Sequence, residues 1–317
     1  MTTFGFFLSS EDHSPSELVN QAVAAEEAGF SSIFISDHFH PWLDRQGQSS
    51  FVWSVIGAIA AKTHLQITTG VTCPTVRIHP AIIAQAAATS QLLSLSRFRL
   101  GVGSGEKLNE HILGDRWPAL PIRLEMLEES VEVIRGLWRG GVYNHRGEHY
   151  TVENARIYSL PDVPPPILVS GFGPKAIAVA ARIGDGFITT KPLAEHVKLY
   201  RELGGKGSTI ATSKVCWSED EQHAVRTAFE LWPTEALFGE LAQELPMPRH
   251  FEEAVKVVTE KMVADVVPCG PDPDRHLKHL RRYVAAGFDE LFIHQIGDDI
   301  PGFFDFFNRE LRPQLNR

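Results

Sequence analysis

Ile33-Phe34-Ile35-Ser36-Asp37-His38-Phe39-His40-Pro41-Trp42 passes without a break from an apolar run into an acid, two imidazoles and an indole. The apolar half follows Gly29-Phe30 and has the β-branched and aromatic composition of a short strand. The polar half stands where that strand gives way to a loop, and strand ends are where parallel α/β proteins collect their chemistry. The fold expected from this stretch is one in which the rest of the chain brings other strand ends to this one.

The flanking sequence repeats the unit. Met1 to Leu8 reads as a first strand, its apolar run too short for a signal sequence or a membrane span and without a basic region before it. Ser14-Pro15-Ser16-Glu17 then starts a helix, with Ser14 as N-cap, Pro15 at the first helical position and Glu17 closing a capping box. Further strands are expected at Ile33–Ser36, Leu65–Thr69, Phe98–Val102, Pro166–Val169, Gly186–Thr189, Thr209–Trp217 and Glu290–His294, with helices between most of them. Pro121–Trp138 is the strongest of these helices, with Leu124, Leu127, Val131, Ile134 and Leu137 on one face. Eight strands alternating with helices imply a closed (β/α)₈ barrel as one domain over residues 1–317. Two insertions are expected: a hairpin around Arg146-Gly147 over residues 141–158, and a Pro-rich, acidic segment over 232–268.

Composition narrows the class. A hydrophobic fraction of 43% against 22% charged residues supplies a core and gives no reason for disorder. A net charge of −9 without any basic block argues against nucleic acid and anionic membranes as partners. Cys73, Cys216 and Cys269 are odd in number and far apart, which fits buried thiols in a cytoplasmic protein and neither a disulfide framework nor a zinc site.

Two glycine clusters follow strands. Gly101-Val102-Gly103-Ser104-Gly105-Glu106 has Leu108 where a dinucleotide fingerprint has its third glycine, so it is read as a close backbone approach to a flat or anionic ligand with Glu106 at the rim. Ser170-Gly171-Phe172-Gly173-Pro174 opens a helix whose free N–H groups can hold a phosphate. Together they favour a phosphate-bearing organic cofactor. His38-Phe39-His40 also admits a zinc reading, as in barrel hydrolases, but the strand ends offer only His294 as a further imidazole of note.

Taken together, these strand-end residues resemble the luciferase-like flavin and deazaflavin oxidoreductases, in the branch of sugar-phosphate dehydrogenases that use coenzyme F420. The resemblance covers nearly the whole chain and is carried most specifically by Ser36–Trp42, Thr75–Gln85 and Gly101–Glu110. It implies a (β/α)₈ barrel with insertions. It also implies cofactor contacts from Asp37, Cys73, Ser104, Asn109, Phe172, Gly173, Lys175 and Ala176, the family commonly having Thr at the position of Cys73. A non-proline cis bond at Gly70-Val71 is implied behind the cofactor ring. The enzymes it resembles enclose the sugar phosphate with cationic side chains. Matching the segments puts Ala242, Gln243, Val266 and Leu193 at those places, and only Thr190 keeps its type. Thr190 and Gln243 are thus carried as substrate-side residues, and the substrate expected is an uncharged alcohol or carbonyl compound rather than glucose 6-phosphate.

The chemistry implied is hydride transfer, in which His38 is the base for a substrate hydroxyl, Glu106 the acid near the reduced ring, and Trp42 the wall of the substrate side. The expected protein is a cytoplasmic, homodimeric oxidoreductase acting on a small molecule with coenzyme F420. Alternatives from the same residues are an FMN-dependent monooxygenase, a metal-dependent hydrolase and a non-catalytic flavin binder.

Overall fold

The computed structural model describes residues 2–315, so Met1 of the expected first strand lies outside the described residues. Eight parallel strands close into a barrel: β1 Thr3–Leu8, β2 Ser32–Ile35, β3 Gln66–Thr69, β4 Phe98–Val102, β7 Ile167–Ser170, β8 Gly186–Thr189, β9 Thr209–Val215 and β10 Glu290–Gln295. The closing pair is β1 with β10, Thr3 opposite Glu290 through Phe6 opposite Ile293. The strand ends fall within two residues of the sequence reading because β-branched and aromatic runs buried on both faces leave little freedom in their limits.

Helices α1 Pro15–Glu27, α2 Val52–Lys62, α3 Pro80–Leu93, α5 Leu120–Trp138, α6 Pro174–Ile183, α8 Glu221–Leu231 and α12 Pro273–Ala285 are among those that follow or precede the strands. The capping box at Ser14 is formed in full, both its side chain and that of Glu17 satisfying the other's backbone. The strands' outer residues, among them Phe6, Ile33, Ile35, Leu100 and Val102, join the helices' apolar faces in one buried core.

Three features differ from the sequence reading. Helix α7 Ala194–Glu202 follows β8 unannounced, because only His196 and Tyr200 of its nine residues are buried and little apolar periodicity marks it. The 232–268 segment is itself helical in short pieces, α9 Leu241–Glu244, α10 Pro248–Ala254 and α11 Glu260–Val266. A last helical stretch, opening with α13 Ile300–Phe306, packs its phenylalanines on β1 and the end of α1, with Phe304 and Phe6 rings 4.8 Å apart. The hairpin, β5 Tyr143–Arg146 with β6 Thr151–Ala155, is fastened to α5 by Glu129, which accepts from the N–H groups of His149 and Tyr150 at 2.9 and 2.8 Å.

The barrel interior is layered. At the bottom, Arg99 donates to Glu290 with both terminal nitrogens, at 2.6 and 2.9 Å, and to the Thr68 hydroxyl at 2.8 Å. Above them lies an apolar layer of Phe34, Leu168, Ile188, Ile210 and Phe292. Phe7 and His294, stacked at 5.1 Å, and Lys214, opposite His294 in the register, form the top layer beneath the loops at the strand ends. Gly101 has no room for a side chain, since a Cβ there would meet the Thr69 carbonyl oxygen at 2.0 Å.

Truncating one partner of the Arg99–Glu290 pair leaves an unpaired buried charge. Arg99→Met is therefore expected to cost about 3–5 kcal/mol, and Arg99→Met with Glu290→Leu much less, as read by urea denaturation. A single substitution within about 1 kcal/mol of wild type would show the pair to be dispensable.

Candidate functional site

The loops after β1, β2 and β4 bring three titratable side chains into line. His38 lies between two carboxylates: its Nδ1 faces Glu11 Oε1 at 2.5 Å and its Nε2 faces Glu106 Oε1 at 3.2 Å. Glu11 is buried, and its second oxygen accepts from the hydroxyls of Ser9 and Ser36, both at 2.8 Å. The Asn109 side chain accepts from the N–H groups of Phe39 and His40, each at 2.8 Å, and donates to Glu106 Oε1 at 2.8 Å. One amide thus fixes the loop after β2 to the carboxylate after β4. Trp42 meets His38 edge to face at 5.4 Å and leans on Phe251 of α10 at 5.2 Å, so the 232–268 insertion supports that wall.

Burial alone would lower the His38 pKa, but the Glu11 and Glu106 carboxylates outweigh it and raise it from 6.5 to about 9. Burial would raise that of Glu11, but the His38 imidazolium and the two serine hydroxyls bring it down to about 2. The imidazole is therefore charged at neutral pH, with one N–H toward each carboxylate.

A second buried set lies behind this one. The Asp37 carboxylate accepts from the Thr72 hydroxyl at 2.7 Å and from Arg77 at 2.9 Å. Arg77 also reaches Glu110 through its backbone N–H at 2.9 Å and its Nε at 3.4 Å. Burial raises Glu110 to about 7 despite that arginine. Asp37 thus has both oxygens engaged by protein groups, and it holds the loop after β3, in which the Gly70-Val71 peptide is cis.

The remaining residues named from the sequence fall into three places. Cys73 is a buried free thiol next to Gly105, and Ser104 is half-buried on the same rim. Phe172, Gly173, Lys175 and Ala176 stand at the start of α6, one strand further round, where Ser170 approaches Gly103. Thr190 and Gln243 are not joined to His38 or Glu106 by any contact among the described residues. The Thr190 carbonyl accepts from Tyr283, and the Gln243 side chain accepts from Arg123 at 3.4 Å. His40 points away from His38, its Nδ1 on the Leu108 carbonyl at 2.9 Å. The sequence reading missed Glu11, although an acid just past the first strand, in Ser9-Ser10-Glu11-Asp12, was a usable signal. Arg77 and Glu110 carry no assigned role in the sequence reading, and Arg123 reads there only as part of a helix.

The site fits a flat, phosphate-bearing cofactor. A Cβ on Gly103 would come within 2.8 Å of Val71, so only glycine lets the rim segments after β3 and β4 approach this closely. Gly105 takes φ of +83°, which turns the chain to present Glu106. The α6 N-terminus carries no side-chain cap and open space surrounds Gly173, leaving the first N–H groups of the helix available to an anion. Arg123 is buried over the Trp117 ring at 4.3 Å, and its Nε and the Trp117 indole nitrogen are buried donors without acceptors.

Known proteins share this fold and sequence pattern. The luciferase-like monooxygenase family matches residues 2–290. An F420-dependent glucose-6-phosphate dehydrogenase of Microbacterium testaceum is 35% identical over 99% of this chain and 97% of its own. One of Nakamurella multipartita is 36% identical over 98% and 96%. Among solved structures, an F420-dependent secondary alcohol dehydrogenase in complex with an F420-acetone adduct superposes with a TM-score of 0.90 at 28% identity, covering 98% of each chain. The F420-dependent tetrahydromethanopterin reductase of Methanopyrus kandleri shares the fold, with a TM-score of 0.80 at 20% identity.

The two shifted groups fix a pH window. Protonated His38 stabilises the fold fully below pH 6.5 and loses that contribution as pH rises through about 9. Glu11 stabilises it above pH 4.5 and loses that contribution as pH falls through about 2. Glu11→Gln removes the nearer charge, so NMR titration of the His38 ring should show its midpoint at least one unit below wild type. An unchanged midpoint would mean that Glu11 does not set the charge of His38.

Proposed function

We propose that this chain, which belongs to the luciferase-like monooxygenase family, is a one-domain F420-dependent oxidoreductase that interconverts an uncharged alcohol and its carbonyl compound. The observation that carries the reading is the Glu11–His38–Glu106 line at the barrel mouth, a proton store of the kind a hydride reaction on oxygen needs. F420, when bound, supplies or takes up the hydride. Gly103, Gly105, Phe172, Gly173, Lys175 and Ala176 would hold it, with the loop kept in place by Asp37 behind it.

The chain's own groups manage protons and orientation. In reduction, His38 Nε2 gives its proton to the oxygen that becomes a hydroxyl, and Glu11 holds the ring in place through Nδ1. In oxidation the same nitrogen takes the hydroxyl proton, which requires His38 first to lose its own. Glu106 serves the cofactor side, held toward it by the Asn109 amide. Trp42, backed by Phe251, closes the substrate side and excludes water.

Substrate charge follows from the neighbouring side chains. Ala242, Val266 and Leu193 offer no cation, the Lys214 ammonium is taken up by Glu235 at 2.8 Å, and the Arg123 guanidinium donates to the Pro118 carbonyl and to the Glu244 and Gln243 side chains. That leaves Lys191, beside Thr190, and one lysine is a poor replacement for a cluster when a phosphate dianion, whose unpaired burial costs several kcal/mol, must be held. The likeness to a secondary alcohol dehydrogenase points the same way. A cytoplasmic homodimer is also proposed, supported by free thiols and by the exposed Phe51, Ile82, Leu93 and Leu95 around α2 and α3.

Fluorescence titration should give at least tenfold tighter binding of oxidised F420 than of FMN, about 1.4 kcal/mol, and equal or reversed affinities would overturn the cofactor. His38→Ala and Glu106→Gln should each lower kcat by roughly 10²-fold or more with F420 binding largely kept. Wild-type turnover in either would remove that residue from the chemistry. With F420, a secondary alcohol should turn over and glucose 6-phosphate should not; saturable turnover of the sugar phosphate at sub-millimolar concentration would refute the charge argument.

A further inference from the structure

The end of β9 meets the segment leading into α12 in a single parallel bridge, with Cys216 opposite Cys269. The Cys216 N–H donates to the Pro268 carbonyl and the Gly270 N–H to the Cys216 carbonyl, both at 2.9 Å. Residues opposite one another across parallel strands turn their side chains to the same face. Here it is the inner face: each cysteine is 1% exposed, and both belong to the apolar cluster that contains Trp232, Phe251 and Val263. The Cys216 thiol donates to the Ile296 carbonyl and the Cys269 thiol to the Val267 carbonyl, each at 3.3 Å. Neighbouring strands run about 4.8 Å apart, which lies inside the range of about 4.4–6.8 Å that disulfide-bonded Cα atoms span. Neither thiol has a role in the site described above. Cys73, the third cysteine, sits on the cofactor rim next to Gly105.

We propose that Cys216 and Cys269 are a dithiol site, converted by peroxides to a reversible intrachain disulfide that staples the insertion to the barrel. Cys269 is the attacking sulfur. Arg275, whose guanidinium donates to the Cys269 carbonyl at 2.8 Å, puts positive charge beside it and favours its thiolate. The Cys269 thiolate displaces an alcohol or water from the peroxide O–O bond and becomes a sulfenic acid. The Cys216 sulfur then displaces water from that sulfenic acid as the S–S bond forms. The two thiol protons leave with the oxygen products, and the peroxide takes up the two electrons.

Pro271 is exposed two residues past Cys269, so the segment that carries Cys269 reaches the surface there, and a small oxidant meets the sulfurs when the bridge and the apolar cluster around it open together. The bond would close a loop of about 50 residues that carries α8 to α11, including the Phe251 that backs Trp42. Oxidation therefore stiffens the insertion without touching His38, Glu11 or Glu106.

The experiment treats the full-length protein with hydrogen peroxide, removes the peroxide with catalase, denatures, alkylates and measures intact mass and peptide maps. The expected result is one alkyl group, on Cys73, instead of three, with a Cys216–Cys269 linked peptide that dithiothreitol abolishes. The same link should form in Cys73→Ser and be absent in Cys216→Ser. The cross-linked protein should also melt about 3 °C or more above the reduced one. Three alkyl groups after oxidation, a bond involving Cys73, an intermolecular bond, or irreversible sulfinic acid on Cys269 without the link would each overturn the proposal. Because wild type and Cys73→Ser already carry the decisive readout, poor folding of Cys216→Ser leaves the test intact.

Discussion

Everything at the mouth of this barrel depends on the contact between His38 and Glu11. A histidine so deeply buried would ordinarily be neutral, since burial penalises the charged form. Glu11 reverses that by standing 2.5 Å from Nδ1, and it can do so because Ser9 and Ser36 hold its other oxygen. The ring then keeps a proton at Nε2, pointing toward Glu106. Were Glu11 neutral, only Glu106 and Asp37 would oppose the effect of burial, and Nδ1 would lose its charged partner. With it, the ring is charged at neutral pH, which in the proposed reaction favours the direction that protonates a substrate oxygen.

The scaffold makes this contact possible through short-range geometry. Glu11 and His38 lie just beyond adjacent parallel strands, β1 and β2, whose register sets Leu8 opposite Ile35. Behind them, the interior aromatic layer and the Arg99–Glu290 pair leave the barrel no room to breathe, so the loops are anchored on rigid ends. Asn109 and Arg77 do the same work laterally, tying the loops after β2, β3 and β4 into one unit. The 232–268 insertion joins from above through Phe251 on Trp42 and Glu252 on Arg45 at 3.1 Å.

The barrel was legible in the sequence because strands buried on both faces must be written as unbroken apolar runs, and runs such as Ile33–Ile35 and Phe98–Val102 have no other reading. Helix α7 was illegible for the opposite reason: with only His196 and Tyr200 buried, it is held by its neighbours rather than by its own pattern. The short helices of the insertion are each too brief for a 3.6-residue period to show. At the site, the motifs led to His38, Glu106 and Asn109, which the structure brings within contact. Glu11 stayed hidden in a run of polar residues that reads as a solvated loop, although it is almost wholly buried. At Asp37 the sequence shows the acid but not its partners, Thr72 and Arg77, which only the fold brings to it.

The central claim is that Glu11 keeps His38 protonated and so sets the direction of the chemistry. The most direct measurement is the pH dependence of single-turnover hydride transfer in both directions with F420 and a secondary alcohol–ketone pair, in wild type and Glu11→Gln. Alcohol oxidation by wild type should rise along a limb centred near pH 9, ketone reduction should fall along the same limb, and both limbs should move at least one unit lower in the variant. A wild-type limb near pH 6.5, unmoved by Glu11→Gln, would contradict it.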